Sequence, residues 1–238
     1  MWDNPRLLNY VAGMLTGLAL LIFILAGLKL LFRPDLFPLR EITVRGSLRH
    51  TSAAQIERAT RGRIEGNFFS VDLAAVRAGI EQLPWVRQVV VRRVWPDGLE
   101  VSIEERVPLA HWGDKALVDT DGERFDGNSN AALPTFIGPP GSAADVTRHY
   151  RRFAAILAPL RDPLVRVVLT PRYAWRLRLR SGLHVMLGRD AGELPVEQRL
   201  ARFVAVYPQT LAKMAQRHDY VDLRYPNGFA LRVADLKG

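Results

Sequence analysis

The sequence predicts an α+β protein carried behind a single N-terminal membrane helix. Three observations support this. Leu7 to Leu28 contains no charged side chain. The chain after residue 36 mixes period-two apolar alternation with helical spacing. Its turn signals, Pro-Asp-Gly, Asp-Gly and Pro-Asn-Gly, fall between the alternating runs.

The apolar run is 22 residues long. As a helix it rises roughly 33 Å, enough for a hydrocarbon core about 30 Å thick. A cleaved signal peptide would have a shorter core of about 7–15 residues and a small-x-small site. Here Ala26-Gly27-Leu28 leads into Lys29-Leu30-Leu31-Phe32, a poor cleavage site. The run therefore reads as an anchor over 7–32, behind a tail of residues 1–6. Gly13 and Gly17 make a G-x-x-x-G, which can bring a second helix close or can be incidental glycine facing lipid. Lys29, Arg33 and Arg40 outnumber Arg6 at the other end. That local count alone favours a cytoplasmic C-terminal part. The absence of cysteine suits an oxidising compartment without requiring one.

A linker with prolines at 34 and 38 comes next. Ile42 and Val44 alternate with Thr43 and Arg45 up to Gly46, a short strand and turn. Ser52 and Gln55 form a capping box for a helix to about Thr60, with Gly62 as its stop. Ser70 or Asp72 caps a second helix, whose apolar positions are Leu73, Val76, Ile80 and Leu83 and which Pro84 ends. Val86 to Trp95 reads as a strand, Pro96-Asp97-Gly98 as a turn, and Leu99, Val101 and Ile103 as the buried face of a second strand. The order over 37–107 is β-α-α-β-β, with the helices on one sheet face.

The segment 108–238 reads as a mixed β-domain with an antiparallel sheet and two main helices. Residues 116–119 and 124–125 form a hairpin around Asp121-Gly122, and 126–141 is a loop rich in Gly, Pro and Asn. Val146, Tyr150, Phe153, Leu157 and Leu160 give one amphipathic helix. Strands follow around Val165–Leu169, Trp175–Leu179 and Val185–Leu187. Pro195 suits a helix start, with Leu200, Phe203, Val204 and Tyr207 on one face and Pro208 as its limit. Val221, Leu223 and Tyr225 pair with Phe229, Leu231 and Val233 across Pro226-Asn227-Gly228.

Net charge is +9, divided as +1 over 1–36, +2 over 37–107 and +6 over 108–238. No zinc-finger spacing, RNP-like aromatic motif or basic region with heptads accompanies it, so nucleic acid is not the expected partner. No two of the five histidines lie at i, i+4 spacing, and there is neither cysteine nor a G-x-S-x-G elbow. Asp119, Asp121, Glu123 and Asp126 form a dense carboxylate cluster. A calcium loop wants Gly at its sixth position and Glu at its twelfth. Gly122 is at the fourth and Asn130 at the twelfth, so the cluster reads as a turn. Glu104 and Glu105 face opposite sides of a strand and cannot act as a pair. Arg176, Arg178 and Arg180 share one strand face and read as solvated. No catalytic residue, metal ligand or cofactor site is expected, and a binding role is.

The order strand-Gly, two short helices, Leu83-Pro84-Trp85-Val86 and then Trp95-Pro96-Asp97-Gly98-Leu99 resembles a POTRA domain. With the anchor before it, the run to Trp112 is similar to the FtsQ/DivIB family of bacterial cell-division proteins. Leu187-Gly188-Arg189, Arg202-Phe203 with Tyr207-Pro208, and Tyr220 to Tyr225 extend the resemblance through the second half. It implies a non-catalytic divisome scaffold, single-pass in the inner membrane and concentrated at the septum. Its N-terminus would be cytoplasmic and its domains periplasmic, against the local charge count. It also implies docking of FtsB, with FtsL and other divisome proteins, by strand addition to the β-domain edge. The family's contact positions fall on Arg172, Arg224 and Tyr225, with Asn227 and Gly228 at the last turn. Val233 stands where some relatives carry tryptophan. Without the resemblance, the ordinary reading is two solvated arginines and a core tyrosine. Two other readings fit less well. A POTRA protein of outer-membrane assembly or secretion would continue into many amphipathic strands, and an anchored cell-wall enzyme would need a catalytic site.

Overall fold

The computed structural model describes residues 5–31, 33, 35–190, 194–209, 218–225 and 228–233. They form two compact units, Met1–Glu105 and Arg106–Gly238.

The first unit opens with α1 (Pro5–Leu31), whose stretch Asn9–Leu31 is long and apolar enough to cross a membrane. β1 (Glu41–Arg45), α2 (Ala53–Thr60), α3 (Leu73–Ile80), β2 (Val86–Val94) and β3 (Gly98–Glu105) follow. The sheet order is β1-β3-β2, with β1 parallel and β2 antiparallel to β3. Ile56, Val76 and Ile80 of the helices meet Val89, Leu99 and Val101 of the strands in one core. Both caps form as the sequence predicts. Ser52 and Gln55 bond reciprocally, and Asp72 accepts from the backbone N–H groups of Ala74 and Ala75. α3 ends at Ile80, so Leu83 lies beyond the helix.

Buried polar side chains pin the loops of this unit. Asn67 is fully buried. Its Nδ2 donates to the carbonyls of Leu31, Arg33 and Leu36 at 2.6, 2.8 and 2.9 Å. Its Oδ1 accepts from the N–H groups of Phe69 and Ser70. Glu105 accepts from the N–H groups of Arg49, His50 and Thr51. Burial pushes this carboxyl up, but those donors outweigh it and hold the group below its ordinary value. Glu100, also buried, is neutralised by Arg45 at 2.7 Å and Arg92 at 2.6 Å.

The second unit is a nine-stranded mixed sheet in the order β12-β11-β10-β9-β8-β7-β4-β5-β6. Its strands are β4 (Pro108–Trp112), β5 (Ala116–Asp119), β6 (Arg124–Phe125), β7 (Thr135–Ile137), β8 (Leu164–Leu169), β9 (Ala174–Leu179), β10 (His184–Arg189), β11 (His218–Asp222) and β12 (Ala230–Val233). α4 (Ala143–Leu157) lies between β7 and β8 in sequence, and α5 (Val196–Val206) between β10 and β11. Those two strand pairs, and β4 with β7, are parallel. Parallel neighbours need a long crossover, and the helices supply it for the first two pairs. Phe153 and Leu157 of α4 and Leu200 and Phe203 of α5 share one core with Val167, Leu177, Val185 and Leu187. The opposite sheet face carries exposed Arg166, Arg176 and Arg178.

Three sequence readings change here. The expected loop over 126–141 contains β7, a three-residue strand whose Phe136 is fully buried. β4 was not foreseen, because Pro108-Leu109-Ala110-His111-Trp112 has no clean alternation. β11 stops at Asp222, so Leu223 to Tyr225 leave the strand, and Tyr225 is 56% exposed rather than in the core.

Candidate functional site

Two adjoining grooves in the second unit gather most of the residues singled out in the sequence. The β8–β9 turn displays Arg172. Thr170 closes it three ways: its N–H donates to the Ala174 carbonyl, its carbonyl accepts from the Tyr173 N–H, and its Oγ1 accepts from the Ala174 N–H. Tyr173 takes a left-handed backbone, φ 56°, and stands 63% exposed beside Arg172. A bulky residue in that region is an outlier worth a functional question.

Gly188 lies at a register shift in β10, with φ 77°. A Cβ there would come within 2.9 Å of Arg224 Cγ. Glycine is what lets the Arg224 stem lie across the strand. The Arg224 guanidinium is then clamped by Asp222, with Nε to Oδ1 at 2.8 Å and Nη2 to Oδ2 at 2.5 Å. Asp222 is 4% exposed, and the Arg224 side chain is 55% exposed. Arg224 is therefore an oriented charge, not a loose solvated one. Its hydrogen bonds hold the Asp222 carboxyl below its ordinary value although burial pushes the other way, and Asp222 in turn keeps Arg224 charged. Tyr220, whose phenol burial and Asp222 both push up, lies 3.5 Å from the same carboxylate.

Arg199 of α5 secures the floor. It donates from Nε to the Leu194 carbonyl and from Nη2 to the Arg189 carbonyl, at 2.9 and 2.7 Å, and from Nη1 to the Leu187 carbonyl. The groove so formed has a volume of about 810 Å³. Five arginines line it, Arg172, Arg176, Arg189, Arg199 and Arg224, with no carboxylate among its described lining residues. A second groove of about 470 Å³ is lined by Arg199, Phe203, Leu223, Tyr225, Gly228 and Phe229. It reaches to one residue before β12, which ends the sheet among the described residues.

Arg172 and Arg224 thus share the basic groove, while Tyr225 and Gly228 share the more apolar one. Asn227 lies outside the described residues. Sequence reasoning missed Arg189 and Arg199 and read Arg176 as solvated. Gly188 was the available signal, since an isolated glycine in a strand marks a close approach.

Asp119 accepts from the N–H groups of Asp121 and Glu123 and takes Arg106 at 2.6 Å, which makes the acidic cluster a turn. Among the described residues, no group of His, Cys, Asp or Glu is placed to hold a metal.

Comparison with known proteins places the chain. Residues 37–106 match the model of the FtsQ-type POTRA domain, and residues 110–224 match that of the C-terminal region of cell division protein FtsQ/DivIB. The cell division protein FtsQ of Burkholderia pseudomallei is 44% identical over all of this chain and 96% of its own. That of Nitrosospira multiformis is 42% identical over 98% of this chain and 99% of its own. That of Escherichia coli K12 is 37% identical over 84% of this chain and 74% of its own. With both domain models matched in order and full-length relatives at these identities, the chain belongs to the FtsQ/DivIB family of bacterial cell-division proteins.

Proposed function

We propose that this protein is a non-catalytic scaffold of the divisome that captures an extended, acidic segment of FtsB, together with FtsL, at the second unit. α1 holds it in the inner membrane with the N-terminus in the cytoplasm and both units in the periplasm at the septum. There it helps control septal peptidoglycan synthesis.

The observation that carries this reading is the five-arginine groove without a described carboxylate, joined through Arg199 to an apolar groove that runs toward the edge strand β12. An edge strand offers unpaired N–H and C=O groups that an extended segment can complete. Arginine forks select carboxylates on that segment, and Tyr225 supplies an aromatic contact.

The test is co-purification of FtsB with Arg224→Glu and with Tyr225→Ala. Each variant is expected to lose binding by about tenfold or more, the scale of a hot-spot residue. Tyr225→Ala should leave the thermal unfolding profile unchanged, because the ring is already exposed. Undiminished co-purification with both variants removes these residues from the interface.

A further inference from the structure

A group of aromatic side chains sits in the first unit beside the end of α1. Trp95 is 66% exposed, Phe37 39% and Phe69 38%. Phe37 lies 5.2 Å from Phe69 and 6.3 Å from Trp95, centroid to centroid. Phe68, buried beneath them, meets Trp95 edge-on at 5.7 Å. Leu36, next to Phe37 in the chain, is also exposed. Soluble surfaces rarely present such a contiguous patch without a use for it.

The patch is held rigidly. The Arg93 guanidinium donates to the carbonyls of Phe68, Val71 and Phe69 at 2.6, 2.9 and 3.3 Å. The Phe68 N–H donates to the Phe37 carbonyl at 2.9 Å. Phe37 itself is in a left-handed backbone, φ 58°. Aromatic side chains ordered this way are displayed, not left over.

What covers them follows from Asn67. Its amide hydrogen-bonds the carbonyl of Leu31, the last residue of α1. Asn67 thereby caps an orphan carbonyl of the helix end. The 23-residue span Asn9–Leu31 rises about 34 Å, so Leu31 falls near the boundary of a core about 30 Å thick. Residues within a hydrogen bond of that boundary lie at headgroup depth. Tryptophan and other amphipathic rings are favoured at that depth. Exposed Arg33 and Arg40 add cations for lipid phosphates, beside the acids Asp35 and Asp97.

We propose that Phe37, Phe69 and Trp95 form a seat on the phospholipid surface of the same bilayer that α1 crosses, docking the first unit against the membrane. This rests on reading α1 as a membrane anchor. The seat makes the junction after α1 a fixed mount, not a swivelling tether.

The chain has no cysteine, so single introduced cysteines carry one spin label each. Phe69→Cys, Phe23→Cys and Val90→Cys are made in the full chain and reconstituted in phosphatidylethanolamine–phosphatidylglycerol vesicles. Val90 is exposed on β2, about 16 Å along the strand from Trp95. Collisions with lipid-soluble oxygen and a water-soluble nickel chelate report depth. The expected order is deep at 23, headgroup level at 69 and fully aqueous at 90. A second reading is quenching of tryptophan fluorescence by lipids brominated near the headgroup, expected to drop in Trp95→Phe. If the label at 69 is as aqueous as at 90 while 23 is deep, the patch faces solvent or a protein partner and the proposal is overturned. If 23 is itself aqueous, the anchor reading fails and takes the proposal with it.

Discussion

The basic groove of the second unit and the aromatic patch of the first use the same device to display opposite chemistry. In each, an arginine is consumed in holding backbone carbonyls. Arg93 holds those of Phe68, Phe69 and Val71, and Arg199 holds those of Leu187, Arg189 and Leu194. What is then presented differs: aromatic rings beside the end of an apolar helix, or further arginines near an edge strand. An arginine in the sequence therefore says little about function until its hydrogen bonds are known. The groups that it frees or fixes decide the partner.

The comparison also separates clamps by chemistry. The patch is held by the Asn67 amide and the Arg93 guanidinium, both donating to backbone carbonyls. The groove has a carboxylate clamp, Asp222 on Arg224. Three experiments exploit this contrast. The largest effect is expected from Asn67→Ala. It removes the side-chain partner of the carbonyls of Leu31, Arg33 and Leu36 and of the N–H groups of Phe69 and Ser70, of which the Arg33 carbonyl keeps the Leu36 N–H and the Ser70 N–H keeps the Asn67 carbonyl; the loss should cost about 2–4 kcal/mol locally. Amide exchange should accelerate over residues 67–71 and stay unchanged in β10 and β11. Acceleration in both units would erase the distinction.

Gly188→Ala comes next. The new methyl group meets Arg224 Cγ and forces a left-handed alanine, a loss of about 1–2 kcal/mol. It should weaken FtsB co-purification although Arg224 itself is not replaced. Full binding with a displaced Arg224 would mean that the orientation of that guanidinium does not matter.

Acid should give the smallest effect. Asp222 is held below its ordinary value of 3.8, so it contributes stability above that pH and loses it as pH falls through the lowered folded value. A carboxyl carbon titration of Asp222 should show a midpoint under 3.8, with the Arg224 guanidinium shifts moving in step. In the first unit the corresponding acid-sensitive contact is Glu105 on residues 49–51, and the fold of 67–71 should be unaffected by Asp222.

Much of this architecture was legible because local signals agreed with the tertiary result. The Ser52–Gln55 box, the Asp72 cap and the Leu99–Ile103 alternation each state their element within a few residues. β7 was not legible, because it has three residues and is stabilised by long-range pairing with β4 and β8, and β4 was not, because its run lacks clean alternation although it pairs locally with β5. The site was half legible. Arg172, Arg224, Tyr225 and Gly228 came from resemblance, and the structure draws them to two adjoining grooves. Arg199 could not be found this way: on α5 it looks like any exposed-face arginine, and only the crossover brings it under β10. The buried role of Asn67 was hidden for the same reason, since its partners are more than thirty residues earlier.

The central claim is that β12 receives a partner strand. Amide exchange on the full chain in detergent, with and without FtsB, tests it most directly. Protection should appear over Ala230–Val233 when FtsB binds, with no change in β6 at the other end of the sheet. FtsB binding that leaves the exchange of Ala230–Val233 unaltered would contradict strand addition at this edge.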